Sequence, residues 1–125
     1  MSLKQENLER AAADPQDLAA VLVDIVNKTR QDRRALSLLG KTTKLGEEHG
    51  ELCEAVLVAC GEIVKPNKVT STMEEAADVI MVALDICASV YHSLEDEQLI
   101  EELTKMIKHK TVKWERLMDI DGDRQ

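Results

Sequence analysis

The sequence predicts an all-α fold, a protomer of four to five helices that forms one domain over residues 1–125. A chain of 125 residues usually forms a single domain. It contains one Trp, one Tyr and no Phe, so its core must consist of aliphatic residues, Ala and Met, which favour helices over strands. Apolar residues recur at helical spacing, and Gly and Pro interrupt them at only a few places, which indicates long helices.

The N-terminal part of the chain is expected to hold a short frayed segment and one long helix. Residues 1–13 form the frayed segment. The helix is predicted to begin at Asp14, which suits the N-cap, and Pro15, which suits the first helical position. Apolar residues then recur at helical spacing from Leu18, and Gly40 is predicted to end the helix.

Three further helices follow. The second is predicted over residues 42–64, because Pro66-Asn67 is a helix-breaking pair. The third is predicted over residues 71–91 and is apolar almost all round, which is typical of a helix buried on most sides. The fourth is predicted to begin near Ser93, and residues 119–125 are expected to form a mobile tail.

The charge of the chain limits its partners. With 24 acidic and 16 basic residues the formal charge is −8, which disfavours binding to nucleic acid or to an anionic membrane. No apolar stretch approaches the roughly 18 residues that a membrane span needs. The three cysteines match no zinc pattern, and with no signal peptide before them they indicate a reducing, cytoplasmic location.

Two acidic residues of the second helix lie at unusual positions. On a helical wheel Glu48 falls inside the edge of an apolar stripe, and Glu51 lies directly beside it. Burying an unpaired carboxylate costs on the order of several kcal/mol. Glu48 therefore needs a partner. The stripe consists of Leu45, Leu52, Val56, Ala59 and Ile63.

Three acids of the apolar third helix share one narrow strip of its wheel. They are Glu75, Asp78 and Asp85. Two of these three acids have an alternative explanation. Glu75 could close a capping box with Thr72, and Asp85 could be a polar residue with its hydrogen bonds satisfied or an inter-helix contact. Asp78 lies a full turn inside the helix and has no such explanation.

Taken together, the acidic pairs predict a cation site. The loop between the second and third helices is short enough to make them antiparallel neighbours, so four carboxylates would face one another across the seam. They are Glu48, Glu51, Glu75 and Asp78. Carboxylate oxygens in that number suit Mg²⁺, or Mn²⁺ in its place.

These segments resemble a known signature. KLGEEHGEL at residues 44–52 and EAADVI at residues 75–80 are similar to the ExxE…ExxD motif of the MazG-like all-α nucleoside triphosphate pyrophosphatases, a superfamily related to dimeric dUTPases and to phosphoribosyl-ATP pyrophosphatase. The resemblance covers residues 18–116. It implies a MazG-like helical bundle that hydrolyses a nucleoside triphosphate between its α and β phosphates, releasing the monophosphate and pyrophosphate as house-cleaning of the nucleotide pool.

The resemblance also assigns residues. It implies that the four acids bind Mg²⁺ and that Glu47 and Glu48 take part in catalysis, with Glu47 orienting or deprotonating the attacking water. It implies that Lys44, Lys110, Lys113 and Arg116 contact the substrate phosphates. Asp85 is also expected at the substrate, from its place in the acidic strip of the third helix and not from the resemblance. Lys44 could instead pair with Glu48 one turn on, and the three basic residues could be an ordinary basic end of the last helix.

The expected assembly and the competing functions complete the prediction. Family members are dimers or dimers of dimers, and a helix apolar almost all round fits a homodimer or homotetramer. One alternative is phosphoribosyl-ATP pyrophosphatase of histidine biosynthesis, although the longer first helix and the loop at 61–70 make this chain larger than that enzyme usually is. A second alternative is a non-catalytic helical interaction module.

Overall fold

The structure, a computed structural model, describes residues 2–13, 16–65 and 71–123. Five helices and no strand occur in these ranges, which confirms the prediction of an all-α fold. In chain order the helices are α1 (Leu3–Ala13), α2 (Leu18–Gln31), α3 (Leu38–Ala59), α4 (Thr72–Val90) and α5 (Asp96–Asp123).

Helices α1 and α2 differ from the expected N-terminal organisation. The segment expected to be frayed forms α1. Asp14 and Pro15, the predicted start of the first long helix, lie outside the described residues. Helix α2 is instead capped by Asp17, whose side chain accepts a hydrogen bond from the Ala20 N–H at 2.8 Å. It ends at Gln31, nine residues before the predicted stop at Gly40.

Helix α3 begins and ends earlier than predicted. Its N-cap is Ser37, whose hydroxyl accepts from the N–H of Gly40 at 3.1 Å, so Gly40 lies in the first turn. At the other end Gly61 has φ +77°, and the N–H of Glu62 donates to the carbonyl of Leu57 at 2.9 Å. This Schellman ending stops the helix before residue 64.

Helix α4 follows the prediction at both ends. Ser71 is its N-cap and accepts from the N–H of Glu74 at 3.1 Å. The capping box proposed for Thr72 and Glu75 is therefore wrong, because the third position after the cap is Glu74. Helix α5 begins at Asp96 and extends to Asp123, into the segment expected to be a mobile tail.

The hydrophobic core lies where α2, α4 and the start of α5 meet. It is small: among the described residues only Val26 has a completely buried large side chain. Arg30 links the three helices, because its guanidinium donates to three backbone carbonyls around the α4–α5 turn and pairs with Asp96 at 2.7 Å. The core residues are Val26, Leu84, Ala88, Leu99 and Ile100.

Helix α3 packs against α4 through a partly polar seam. Its buried residues are Lys41, Glu48 and Ala55, whereas Val56 and Ala59 of the predicted stripe are exposed. The buried face is thus turned from the predicted stripe toward Glu48, which the wheel placed at the edge of that stripe. None of the described helices is both long enough and apolar enough to cross a membrane.

Candidate metal centre

Four carboxylates from two helices meet in the α3–α4 seam. Glu48 and Glu51 are one turn apart on α3, and Glu75 and Asp78 are one turn apart on α4. Each offers an oxygen, and these four oxygens all lie within 4.8 Å of one another. The structure therefore brings together the four acids that the two motifs predicted to meet. We call them the acidic cluster.

The acidic cluster has a closed side and an open side. Glu48 and Glu75 are buried, with 8% and 3% of their surface exposed, whereas Glu51 and Asp78 are exposed. Two carboxylates thus lie inside the seam and two lie at its rim. A ligand could reach the buried pair from solvent past the exposed pair.

Oxygen atoms of the buried pair lack donors. Oε2 of Glu48 and Oε2 of Glu75 are buried and accept no hydrogen bond from the described residues. The ammonium group of Lys44 lies 3.4 Å from Oε1 of Glu48, which leaves the second oxygen unmatched. Buried polar atoms in folded proteins nearly always have a partner, because an unsatisfied one costs free energy. Two such oxygens in one acidic cluster are available as ligands for a metal ion.

The electrostatics of Asp78 support this conclusion. The pKa of the Asp78 carboxyl is raised, first by partial burial and then by the negative charges of Glu48 and Glu75, while Lys44 opposes the shift. A raised pKa means that the site resists carrying its full negative charge. A divalent cation with oxygen ligands would offset that charge, as hard cations such as Mg²⁺ do among carboxylates.

The other predicted site residues on α3 and α4 are not members of the acidic cluster. Glu47 is exposed and is not one of the four clustered acids. Lys44 makes the one-turn pair with Glu48 that was its alternative explanation. Asp85 is an inter-helix contact, because its Oδ1 lies 2.9 Å from the ammonium nitrogen of Lys41.

The basic residues of α5 lie apart from the acidic cluster. Helix α5 contacts α2 and α4 but not α3 among the described residues, and all its described side chains beyond Leu103 are exposed. Lys113 and Arg116 line a shallow groove with His109 and Val112. Within one chain, no described hydrogen bond or ion pair joins this end of α5 to the acids.

Sequence reasoning missed one residue of the seam, Lys41. It is 9% exposed and donates to Asp85 at 2.9 Å and to the Ser89 hydroxyl at 2.7 Å. A lysine one turn before Leu45 on the buried face of α3 is a detectable signal. The predicted helix begins at residue 42 and therefore excludes Lys41, whereas α3 begins at Leu38.

Comparisons with known proteins add no assignment to this geometry. No protein-family model, no curated protein and no solved structure matches the chain. What the site can do therefore follows from its own chemistry. Four converging carboxylates, two of them with unmatched buried oxygens, can hold a divalent cation at the mouth of the α3–α4 seam.

Proposed function

We propose that this protein is a Mg²⁺-dependent nucleoside triphosphate pyrophosphatase that cleaves between the α and β phosphates. The observation that carries the proposal is the acidic cluster, with a donorless buried oxygen on both Glu48 and Glu75. A purely structural seam gains nothing from such atoms, whereas a cation site requires them. The resemblance of both motifs to the MazG-like signature supports the choice of reaction.

Each acid has a role in this proposal. Glu48, Glu51, Glu75 and Asp78 hold Mg²⁺, or Mn²⁺ in its place, which when bound neutralises phosphate charge and makes water a better nucleophile. Glu47 is exposed beside Glu48, so its carboxylate is available to orient the attacking water and accept its proton.

The basic residues contact the phosphates. Lys44 stands next to the acidic cluster and can turn from Glu48 to a substrate phosphate with little cost, because it is half exposed. Lys110, Lys113 and Arg116 lie on the exposed end of α5, so a second copy of the chain would have to bring them to the acids.

We propose a homodimer or homotetramer for two reasons. A second copy would have to bring the basic residues of α5 to the acids, and much apolar surface is uncovered. Met73 and Ile80 on α4 and Trp114 on α5 are all more than half exposed. Large apolar patches of this kind mark contact surfaces. Light scattering on the purified protein measures the assembly directly, and a monomer at all concentrations would contradict this part of the proposal.

The test of the reaction is pyrophosphate release. Ribo-, deoxyribo- and modified nucleoside triphosphates are incubated with the protein and Mg²⁺, and the pyrophosphate and monophosphate are quantified. Glu75→Gln should abolish release, because it removes a cluster ligand but keeps the side-chain shape. Glu74→Gln is the matched control: Glu74 is the neighbouring residue, pairs with Lys4 outside the cluster, and should retain activity.

The outcomes separate the alternatives. Release of single phosphates would contradict the proposed cleavage position. Activity on phosphoribosyl-ATP alone would favour the histidine-biosynthesis enzyme. An interaction module without catalysis predicts that Glu51→Gln and Asp78→Asn leave function intact and that Mg²⁺ does not raise the melting temperature, since only a bound ligand stabilises the folded state.

A further inference from the structure

A second set of polar side chains lies in the α3–α4 seam, two turns away from the acidic cluster. Lys41 precedes Glu48 by seven residues, and Asp85 follows Asp78 by seven residues. Because the helices are antiparallel and rise about 1.5 Å per residue, the Lys41–Asp85 pair lies roughly 10 Å from the acids along the seam. That span is comparable to the distance between the α phosphate and the far edge of the base in an extended nucleotide.

A cavity of about 270 Å³ adjoins this pair. The loop between α2 and α3 forms one wall, and α4 forms the opposite wall with Met81 and Val82. Lys44 also lines the cavity, and the same side chain contacts Glu48 of the acidic cluster. Lys44 thus links the cavity to the acidic cluster, and the cavity has apolar surface beside charged groups, as is usual for small-molecule sites.

The polar groups of the pair are held in fixed positions. The Lys41 ammonium donates to Asp85 Oδ1 and to the Ser89 hydroxyl, and that hydroxyl donates to the Asp85 backbone carbonyl at 3.0 Å. Oδ2 of Asp85 accepts no hydrogen bond from the part of the chain that the structure describes, and the side chain is 25% exposed. Asp85 therefore lines the cavity with a carboxylate that Lys41 anchors through Oδ1, and Oδ2 is left to accept a hydrogen bond from a ligand.

We infer that this cavity binds the nucleoside part of the substrate and that Asp85 selects bases carrying an exocyclic amino group. The inference rests on the proposed function, because it takes the phosphates to lie at the acidic cluster. A carboxylate accepts a hydrogen bond from an amino group such as N4 of cytosine. It repels the carbonyl oxygen that uracil has at the same ring position and leaves that oxygen unpaired.

Two substrate pairs isolate this contact. dCTP and dUTP, like dATP and dITP, differ by an amino group against a carbonyl oxygen at one ring position. Whether the protein accepts pyrimidines, purines or both, the same preference is expected in each accepted class. There kcat/KM should be about ten- to a hundredfold higher for the substrate with the amino group (dCTP or dATP) than for its carbonyl counterpart, as expected for one good base contact. Asp85→Asn should bring this ratio close to one, because the amide offers a donor as well as an acceptor. Its Oδ1 still accepts from Lys41, which preserves the fold.

Comparison variants keep the test decisive. Ser89→Ala removes the other partner of Lys41 and should lower the melting temperature without changing the ratio. A wild-type preference for dUTP and dITP, an unchanged ratio in Asp85→Asn, or a ratio that responds to Asp32→Asn instead would each overturn the assignment. Asp32 is the right comparison because it is the other acid lining the cavity.

Binding without hydrolysis separates the two proposals. Calorimetry with dCMP and dUMP, and with dAMP and dIMP, needs no pyrophosphatase activity. Preferential binding of the amino member without any triphosphate cleavage would leave the cavity assignment standing and refute the proposed reaction. Triphosphate cleavage with no preference for the amino member in either assay would support the proposed reaction and refute the cavity assignment.

Discussion

Replacing Glu75 by glutamine should stabilise the metal-free protein. Glu48 and Glu75 are both buried, and their facing oxygens lie within 4.8 Å. At that distance and an effective dielectric constant of about 20, two like charges repel by about 3.5 kcal/mol. Glu75→Gln would also introduce a hydrogen-bond donor into the acidic cluster, where Oε2 of Glu48 has none. Allowing for relaxation of the side chains, we expect the free energy of unfolding to rise by about 1 to 3 kcal/mol.

The assay is thermal unfolding at one protein concentration, in chelator and in Mg²⁺. An unfolding entropy of about 2.1 cal/mol/K per residue gives about 0.26 kcal/mol/K for this chain. In chelator, Glu75→Gln should therefore melt about 4 to 12 °C above wild type. Mg²⁺ at a hundred times its dissociation constant should stabilise wild type by about 2.7 kcal/mol, or about 10 °C, and the variant hardly at all.

A cation site predicts that Mg²⁺ raises the melting temperature of wild type, whereas Glu75→Gln melts above wild type in chelator and hardly responds to Mg²⁺. Glu74→Gln loses its ion pair with Lys4 but should keep the full Mg²⁺ response of wild type. If Glu75→Gln melts below wild type in chelator, the carboxylates are stabilised by donors within the protein. The reasoning that assigns them to a cation would then be refuted.

Three further predictions concern the seam and the core. The pKa of the Asp78 carboxyl is raised, so the folded state binds this proton more tightly than the unfolded state. Stability of the metal-free protein should fall as pH rises above the ordinary aspartate pKa of about 3.9, and urea unfolding should show a weaker fall in Asp78→Asn. Leu84→Ala should cost about 3 kcal/mol in urea unfolding, because it opens a cavity at a residue that is 3% exposed. Lys41→Met should cost about 2 kcal/mol by leaving Asp85 unpaired, and the double variant with Asp85→Leu should recover most of that loss; no recovery would mean that the pair does not act as a unit.

The quality of the helix predictions depended on the local end signals. Helix α4 was predicted within one residue, because Ser71 caps it and a turn follows Val90. Helix α3 was placed too late, because Gly40 was interpreted as the end of the preceding helix. In the structure Gly40 lies in the first turn, where an added Cβ would come within 3.1 Å of the Leu36 Cβ. A glycine looks the same in the sequence at either place.

That boundary error had a consequence for the site. With the helix predicted to start at residue 42, Lys41 fell in a turn, where a lysine is ordinary. With the helix starting at Leu38, Lys41 becomes a charged residue on the buried face of α3. Its partner Asp85 is 44 residues away, so no local pattern could have identified the pair.

The sequence by itself determined that the chain is helical and that four acids in two motifs belong together, because helical periodicity is local and places residues three apart on one face. Only the tertiary structure decided which acids are buried and that Lys41 pairs with Asp85. Those properties depend on how α3 and α4 are rotated and aligned against each other. That alignment is set by packing between residues far apart in the chain, and even a small rotation of α3 changes which side chains face the seam.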